Sequence, residues 1–218
     1  MSGFPGSPKL LRGGIVVLDP DTGTVLRVIT LQYNPDSVTR TLAIQAHGEA
    51  SGDLTEALRL KGPATETIKV DIELDAADAL EKPEESPDAV ASGLHPQLAA
   101  LEALVNPTAA YLAEVHGREG SGTLEIVPAT VPLTLFVWGG NRIQPMRLTE
   151  LSITEEAFDP RLNPIRAKVS LGMRVLTVAD VGFDNPSGNL FLAYLRSREA
   201  LAQRAPAGSL ANLGIGGF

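Results

Sequence analysis

The sequence contains no cysteine, which excludes disulfide frameworks, thiol nucleophiles and cysteine metal sites. It also has no excess of basic residues, because 26 Asp and Glu stand against 18 Lys and Arg, and the formal net charge is -8. An acidic chain is repelled by phosphate backbones, so we predict no nucleic-acid partner. No apolar run approaches the roughly 20 residues of a membrane helix, and the N-terminus lacks the pattern of a signal peptide. We therefore expect a protein that is assembled in the cytoplasm and has no membrane partner.

Motifs that carry chemistry are also scarce. The three histidines, His47, His95 and His116, do not stand at the spacing of metal ligands. The glycine-rich stretch 117–122 lacks the lysine and the strand-then-helix setting of a phosphate-binding loop, so we interpret it as a plain loop. We predict no metal site, no cofactor and no catalytic residue.

What the sequence does contain is a series of stretches in which apolar and polar residues alternate. This period of two predicts β-strands. A phase shift between Leu148 and Leu151 predicts a β-bulge near Thr149 and Glu150, because one extra residue moves the following side chains to the other face. The predicted strands are a hairpin over 13–33, then 38–46, 65–74, 131–138, 146–158 and 165–176.

The remaining segments are predicted as helices and loops. Helical spacing covers 95–116, with a break at Asn106-Pro107 where Asn106 is expected to cap a second helix. Residues 47–62 and 76–93 are interpreted as loops. A further helix follows Asn185-Pro186 and carries an apolar stripe, which we predict to be either a docking surface or a face that packs on its own domain: Leu190, Phe191, Tyr194 and Leu195.

These elements predict a mainly β protein, a β-sandwich or barrel with one packed helix and a C-terminal helical arm. We expect three parts along the chain. Residues 1–12 would form a flexible N-terminus, 13–178 the β domain, and 179–218 a helix followed by a glycine-rich arm.

Four separated motifs resemble the tube-type domain of baseplate proteins from contractile injection systems, the phage-tail-like machines that drive a tube through an envelope. They are an aromatic-Asn-Pro element, an aromatic-x-Trp-Gly strand, a strand that ends in Phe-Asp, and a Pro-x-Arg-Ala turn into the last strand. Their residues are Tyr33, Asn34 and Pro35, then Phe136, Trp138 and Gly139, then Phe158 and Asp159, and finally Pro164, Arg166 and Ala167. The order of elements matches over about residues 10–178, and the similarity is close over 133–175.

The resemblance implies the phage tail-tube fold and a homo-hexameric ring in the inner baseplate. Its partners would be the inner tube protein, a trimeric spike protein and baseplate wedge proteins, within a particle that can be released. Many members continue into a LysM-type module that binds peptidoglycan. This chain has a helix and a glycine-rich segment over 179–218 instead, so wall binding is not expected.

Other interpretations of the same residues remain open. Trp138 could be only a buried core anchor, and Arg166 could simply pair with a neighbouring acid. Glu155, Glu156 and Asp159 could belong to a hydrolase. The protein could also be a carbohydrate-binding β-sandwich, or a terminator or cap at the far end of the same tube.

Overall fold

The structure, a computed structural model, describes residues 11–20, 22–46, 59–120 and 132–216. Several predicted segments lie wholly or partly outside these described residues. They are the N-terminus 1–12, the loop 47–62, the end of the glycine-rich stretch 117–122, the start of the strand 131–138 and the last residues of the arm 179–218.

Seven strands of the described residues form one antiparallel sheet. Their bounds are β1 Gly14–Leu18, β2 Val25–Thr30, β3 Thr39–Ala43, β4 Thr65–Asp75, β5 Leu133–Val137, β6 Ile143–Glu155 and β7 Arg166–Val175. Across the sheet the order is β2-β1-β5-β6-β7-β4-β3. Every predicted strand is therefore present, with ends that differ by a few residues.

The prediction of a mainly β protein is confirmed, but the sheet is open in the described residues, so a sandwich or barrel is not confirmed. β2 and β3 are its two edges. The segment that follows the edge strand β2 is nevertheless tied to the end of β4 by one side chain. Gln32 donates from Nε2 to the carbonyl oxygen of Asp75 at 2.7 Å and accepts from the Asp75 N–H at 2.8 Å, as a paired strand residue would.

The centre of the sheet follows the alternation of the sequence. In β4 and β7 one set of side chains is buried and the alternate set is exposed, with Gly172 and the partly buried Arg174 as departures near the end of β7. The predicted bulge is confirmed, because Leu148 pairs with Met173 while Glu150 pairs with Gly172, which leaves Thr149 as the extra residue. The bulge returns Leu151 to the face that Leu148 occupies, opposite Leu171.

Six α-helices and one short 3-10 helix accompany the sheet in the described residues. Their bounds are α1 Ala77–Leu80, α2 Pro87–Ser92, α3 His95–Glu102, α4 Ala109–Gly120, α5 Val178–Val181, α6 Pro186–Gln203 and the 3-10 helix Leu210–Leu213. The prediction of one packed helix is thus wrong, and so is the plain loop over 76–93, which contains α1 and α2. Local hydrogen bonds form these single turns without an apolar period that the sequence could display.

The break near Asn106 is confirmed, but the predicted role of Asn106 is wrong. Its Nδ2 donates to the carbonyl oxygen of Glu102, so it closes the end of α3. The N–H of Tyr111 instead donates to Oγ1 of Thr108, which caps the start of α4.

α6 packs on the sheet, chiefly against β6 and α5. Asn185 caps its start by accepting the N–H of Ser187 at 2.9 Å, and Pro186 occupies the first turn. Gly188 permits the approach to α5, because a Cβ at this position would lie 2.1 Å from the carbonyl oxygen of Gly182. The sequence boundary at residue 178 stays a prediction.

Candidate assembly surfaces

The predicted docking stripe on α6 is divided between the interior and the surface. Phe191 and Tyr194 are buried and Leu190 is partly buried, whereas Leu195 is 38% exposed. Phe191 belongs to the main apolar core of the sheet. The helix therefore packs on its own domain with three of these four residues, because Leu190 also packs against a smaller apolar cluster. A docking role for the stripe stays a prediction.

The early motif residues fasten the start of β1. Asn34 accepts the N–H of Gly13 on Oδ1 at 2.9 Å and donates from Nδ2 to the carbonyl oxygen of Leu11 at 2.8 Å. Tyr33 is about half exposed and Pro35 partly buried. The aromatic-Asn-Pro element thus has a structural role in this fold through Asn34.

The aromatic-x-Trp-Gly motif builds the end of β5. Phe136 is fully buried, and Trp138 stacks on it with ring centroids 5.9 Å apart. The Trp138 ring also lies over Gly13, where a Cβ would come within 2.4 Å of it. Gly139 adopts a φ of 70° and starts the turn into β6, a conformation that favours glycine. Trp138 is therefore partly buried and packs against the core.

The last two motifs form a corner between β6 and β7. The Asp159 carboxylate accepts the N–H groups of Arg161 and Asn163 and the side-chain amide of Asn163. These hydrogen bonds to Asn163 and Arg161 hold the pKa of Asp159 below its usual value. Phe158 pairs with Pro164 in an isolated bridge across the corner.

Arg166 and Ala167 start β7 beyond this corner. Arg166 forms an ion pair with Asp75 at 2.9 Å. This agrees with the interpretation that Arg166 pairs with a neighbouring acid. Ala167 of β7 is fully buried in the apolar core. The pKa of Asp75 is lowered first by the hydrogen bond from the Ala77 N–H and then by Arg166, against the opposing effect of burial.

The residues considered for other chemistry are dispersed or engaged. Glu156 pairs with Lys168 at 2.8 Å, and Asp159 is occupied in its turn. His95 and His116 are exposed at different places, and His47 lies outside the described residues. Within the described ranges no group of three or more His, Asp or Glu could hold a metal ion.

Both edges of the sheet expose apolar side chains, which strand patterns alone did not predict. On β2, Val25, Leu26 and Val28 are each more than half exposed. At the opposite edge, Leu42 of β3 and the neighbouring Ile44 are also more than half exposed. Exposed apolar edge strands with free backbone groups are templates for pairing with another chain.

A polar cluster that the sequence interpretation missed lies where β3, β4, β6 and α6 meet. Glu66 is buried, and its carboxylate accepts from Arg40 Nε at 2.5 Å and from Gln144 Nε2 at 2.9 Å. Arg40 also donates to the hydroxyl of Tyr194 at 2.9 Å, and Arg198 lies 5.9 Å from the centre of the Tyr194 ring. A signal was present, because Arg40 and Glu66 both stand in the apolar phase of their strands.

Arg142 completes this cluster from the turn that precedes β6. Its backbone is held by Trp138, whose N–H donates to the Arg142 carbonyl oxygen at 2.8 Å. Its Nε is buried and has no hydrogen-bond partner among the described residues, and the same holds for Oε1 of Gln144. Burial, and then the nearby charge of Arg40, lower the pKa of Arg142.

Comparison with known proteins adds no relative: no protein-family model matches the chain, and no curated protein matches it at a significant level. In the described part of the chain, no helix is both long enough and apolar enough to span a membrane.

Proposed function

We propose that this chain is a non-enzymatic ring protein of the inner baseplate or tube of a contractile injection system, with the phage tail-tube type of fold. In this proposal six copies form a ring that joins a trimeric spike to the inner tube and templates tube assembly. Baseplate wedge proteins would surround it within a phage-tail-like particle. The four motifs given above support the family, and the two exposed edges of the sheet carry the proposal of a ring.

The edges support a ring because they are different surfaces of one molecule. β2 stands at one end of the sheet and β3 at the other, so pairing of β2 with β3 of the next copy is heterologous. A heterologous contact closes into a ring when the rotation that relates neighbouring copies is a whole fraction of a full turn. Such pairing would also cover Val28 and Leu42, which are 58% and 53% exposed in the single chain.

The motif residues support the proposal in a second way, because several of them shape a scaffold. Asn34, Trp138 and Asp159 each hold a turn or a strand end. A rigid scaffold presents its surfaces in a constant geometry, which a stacked ring requires.

The test is electron cryomicroscopy of the purified protein and of sheath-containing particles from producing cells. We expect a six-fold ring between spike and tube. Val28→Lys and Leu42→Lys should each abolish ring formation, because a charged side chain on an edge opposes strand pairing. Leu112→Lys is the matched control, since Leu112 is equally exposed but lies on α4.

The outcomes separate the proposal from its rivals. A ring at the far end of the tube would indicate the terminator or cap. A monodisperse monomer that is absent from every particle would contradict the assembly role and favour carbohydrate binding or hydrolysis.

A further inference from the structure

Three arginines lie around Tyr194 and bring more positive charge than the nearby acidic side chains neutralise. Arg40 donates to the Tyr194 hydroxyl, Arg198 lies over the Tyr194 ring, and Arg142 interacts electrostatically with both arginines. Glu66 is the one acid among the charges that act on Tyr194, so three positive charges face one negative charge. Glu66 is committed to Arg40 and Gln144 by the hydrogen bonds described above. Arg142 and Arg198 have no acidic partner among the described residues.

Arg142 adds a buried donor to this cluster, because its Nε has no hydrogen-bond partner among the described residues. A guanidinium N–H that is shielded from water and lacks a hydrogen bond is unfavourable by itself. A second arginine, Arg198, lies on the neighbouring α6 over the ring of Tyr194. Guanidinium groups gathered beside an aromatic ring suit a carboxylate, because their N–H donors match its oxygens in plane and spacing.

The opposite end of the same molecule carries the complementary charge. The segment 76–93 follows β4 and exposes five acidic side chains with only Lys82 to balance them: Asp78, Glu81, Glu84, Glu85 and Asp88. Glu66 and Asp75 stand nine residues apart in β4, which is about 30 Å at the rise of an extended strand. The segment therefore cannot reach the arginines of its own chain.

We propose that Arg40, Arg142 and Arg198 form a receptor for carboxylate side chains, and that the acidic segment 76–93 of a second copy supplies them. The contact is head-to-tail, because it joins opposite ends of two molecules. This contact adds a polar interaction between copies to the proposed ring. It rests on the proposed function only for the geometry of that ring.

The test is a charge swap followed by sedimentation velocity at low salt. Arg198→Glu reverses the receptor, and the triple variant Glu84→Lys, Glu85→Lys, Asp88→Lys reverses the segment. Each alone should weaken self-association at least about tenfold, because each places like charges against each other. An equimolar mixture of the two should recover wild-type association, since every contact between unlike copies is again complementary.

Controls separate this contact from folding and from the edge strands. Arg118→Glu reverses the charge of an exposed arginine on α4, away from the receptor, and should leave association unchanged. Arg142→Gln keeps an uncharged donor and should weaken association less than Arg198→Glu while leaving the unfolding transition in place. Self-association of the wild type should fall as salt rises, because salt screens such contacts.

Three results would overturn the inference. They are a wild-type chain that stays monomeric at low salt, rings that ignore both charge variants, and a mixture that fails to recover. Rings that depend on Val28 and Leu42 but not on the charges would leave the proposed function intact. A charge-dependent association in a protein that is absent from every particle would leave the contact intact and remove the proposed function.

Discussion

The central and the edge strands of the sheet contain the same kinds of residues in very different surroundings. Val70 and Leu171, in β4 and β7, are each 2% exposed. Val28 and Leu42, in β2 and β3, are apolar and strand-forming as well, yet both are more than half exposed. Apolar, strand-forming residues therefore mark a strand but do not tell whether the same chain covers that strand. In our proposal the edges are covered by neighbouring copies.

The largest expected effect contrasts a central with an edge leucine. Leu171→Ala should lower the free energy of unfolding by about 2–5 kcal/mol, because it leaves a cavity in a close-packed core. Leu42→Ala should change it by less than about 0.5 kcal/mol in the monomer, because its side chain already contacts water. Urea unfolding of monomeric protein, followed by circular dichroism, measures both. Equal losses of unfolding free energy in the two variants would contradict the contrast between central and edge strands.

A smaller effect is expected where the edge strand β2 is tied to the centre. Gln32→Leu should lower the free energy of unfolding by about 1–3 kcal/mol, because it leaves the N–H and carbonyl groups of Asp75 without their partner. Gln45→Leu is the control, since Gln45 is exposed and makes one long hydrogen bond to Thr65. Amide hydrogen exchange of Asp75 should accelerate in the Gln32 variant only. Unchanged exchange would show that Gln32 does not hold β2 against β4.

The smallest expected effect is a pH dependence at the Asp75 corner. The pKa of Asp75 in the folded protein lies below its ordinary value of 3.8. The carboxylate therefore contributes its full stabilisation above pH 3.8, and this contribution is lost as the pH falls toward the lower folded value. Asp75→Asn should make stability less sensitive to acid over that window. Thermal unfolding from pH 5 to pH 2 measures it.

A matched variant shows whether the reduced acid sensitivity comes from the contacts of Asp75. Asp88→Asn changes an exposed carboxylate on α2 that makes none of these contacts. It should leave the acid sensitivity close to that of the wild type. An identical change in both variants would mean that net charge, and not the contacts of Asp75, governs acid unfolding.

Sequence patterns predicted the strands well because the long strands β4 and β7 display a period of two and the short strand β5 is apolar on both faces. The bulge at Thr149 was predictable, since it changes the phase of consecutive residues. The role of Asn106 was not, because Asn106 and Thr108 both suit a capping position and only the backbone geometry chooses between them. The turns α1 and α2 escaped prediction because a single helical turn is too short to show a period.

The candidate surfaces were less predictable than the strands. The stripe on α6 showed a helical period, but which of its residues face inward depends on how α6 lies on β6. The arginine cluster joins residues far apart in sequence, such as Arg40 and Tyr194. No local pattern records such a meeting. The one available sign was a charged residue in an apolar phase, at Arg40 and again at Glu66.

The mainly β character, the strand positions, the bulge and the absence of cysteine chemistry all follow from the amino-acid sequence. These are properties of composition and of neighbouring residues, and periodicity records them directly. Only the tertiary structure decided the order of the strands, and hence that β2 and β3 are the edges. It also decided that Arg40 and Arg198 both lie against Tyr194. Both depend on contacts between distant parts of the chain, whose energies come from packing and charge across the fold.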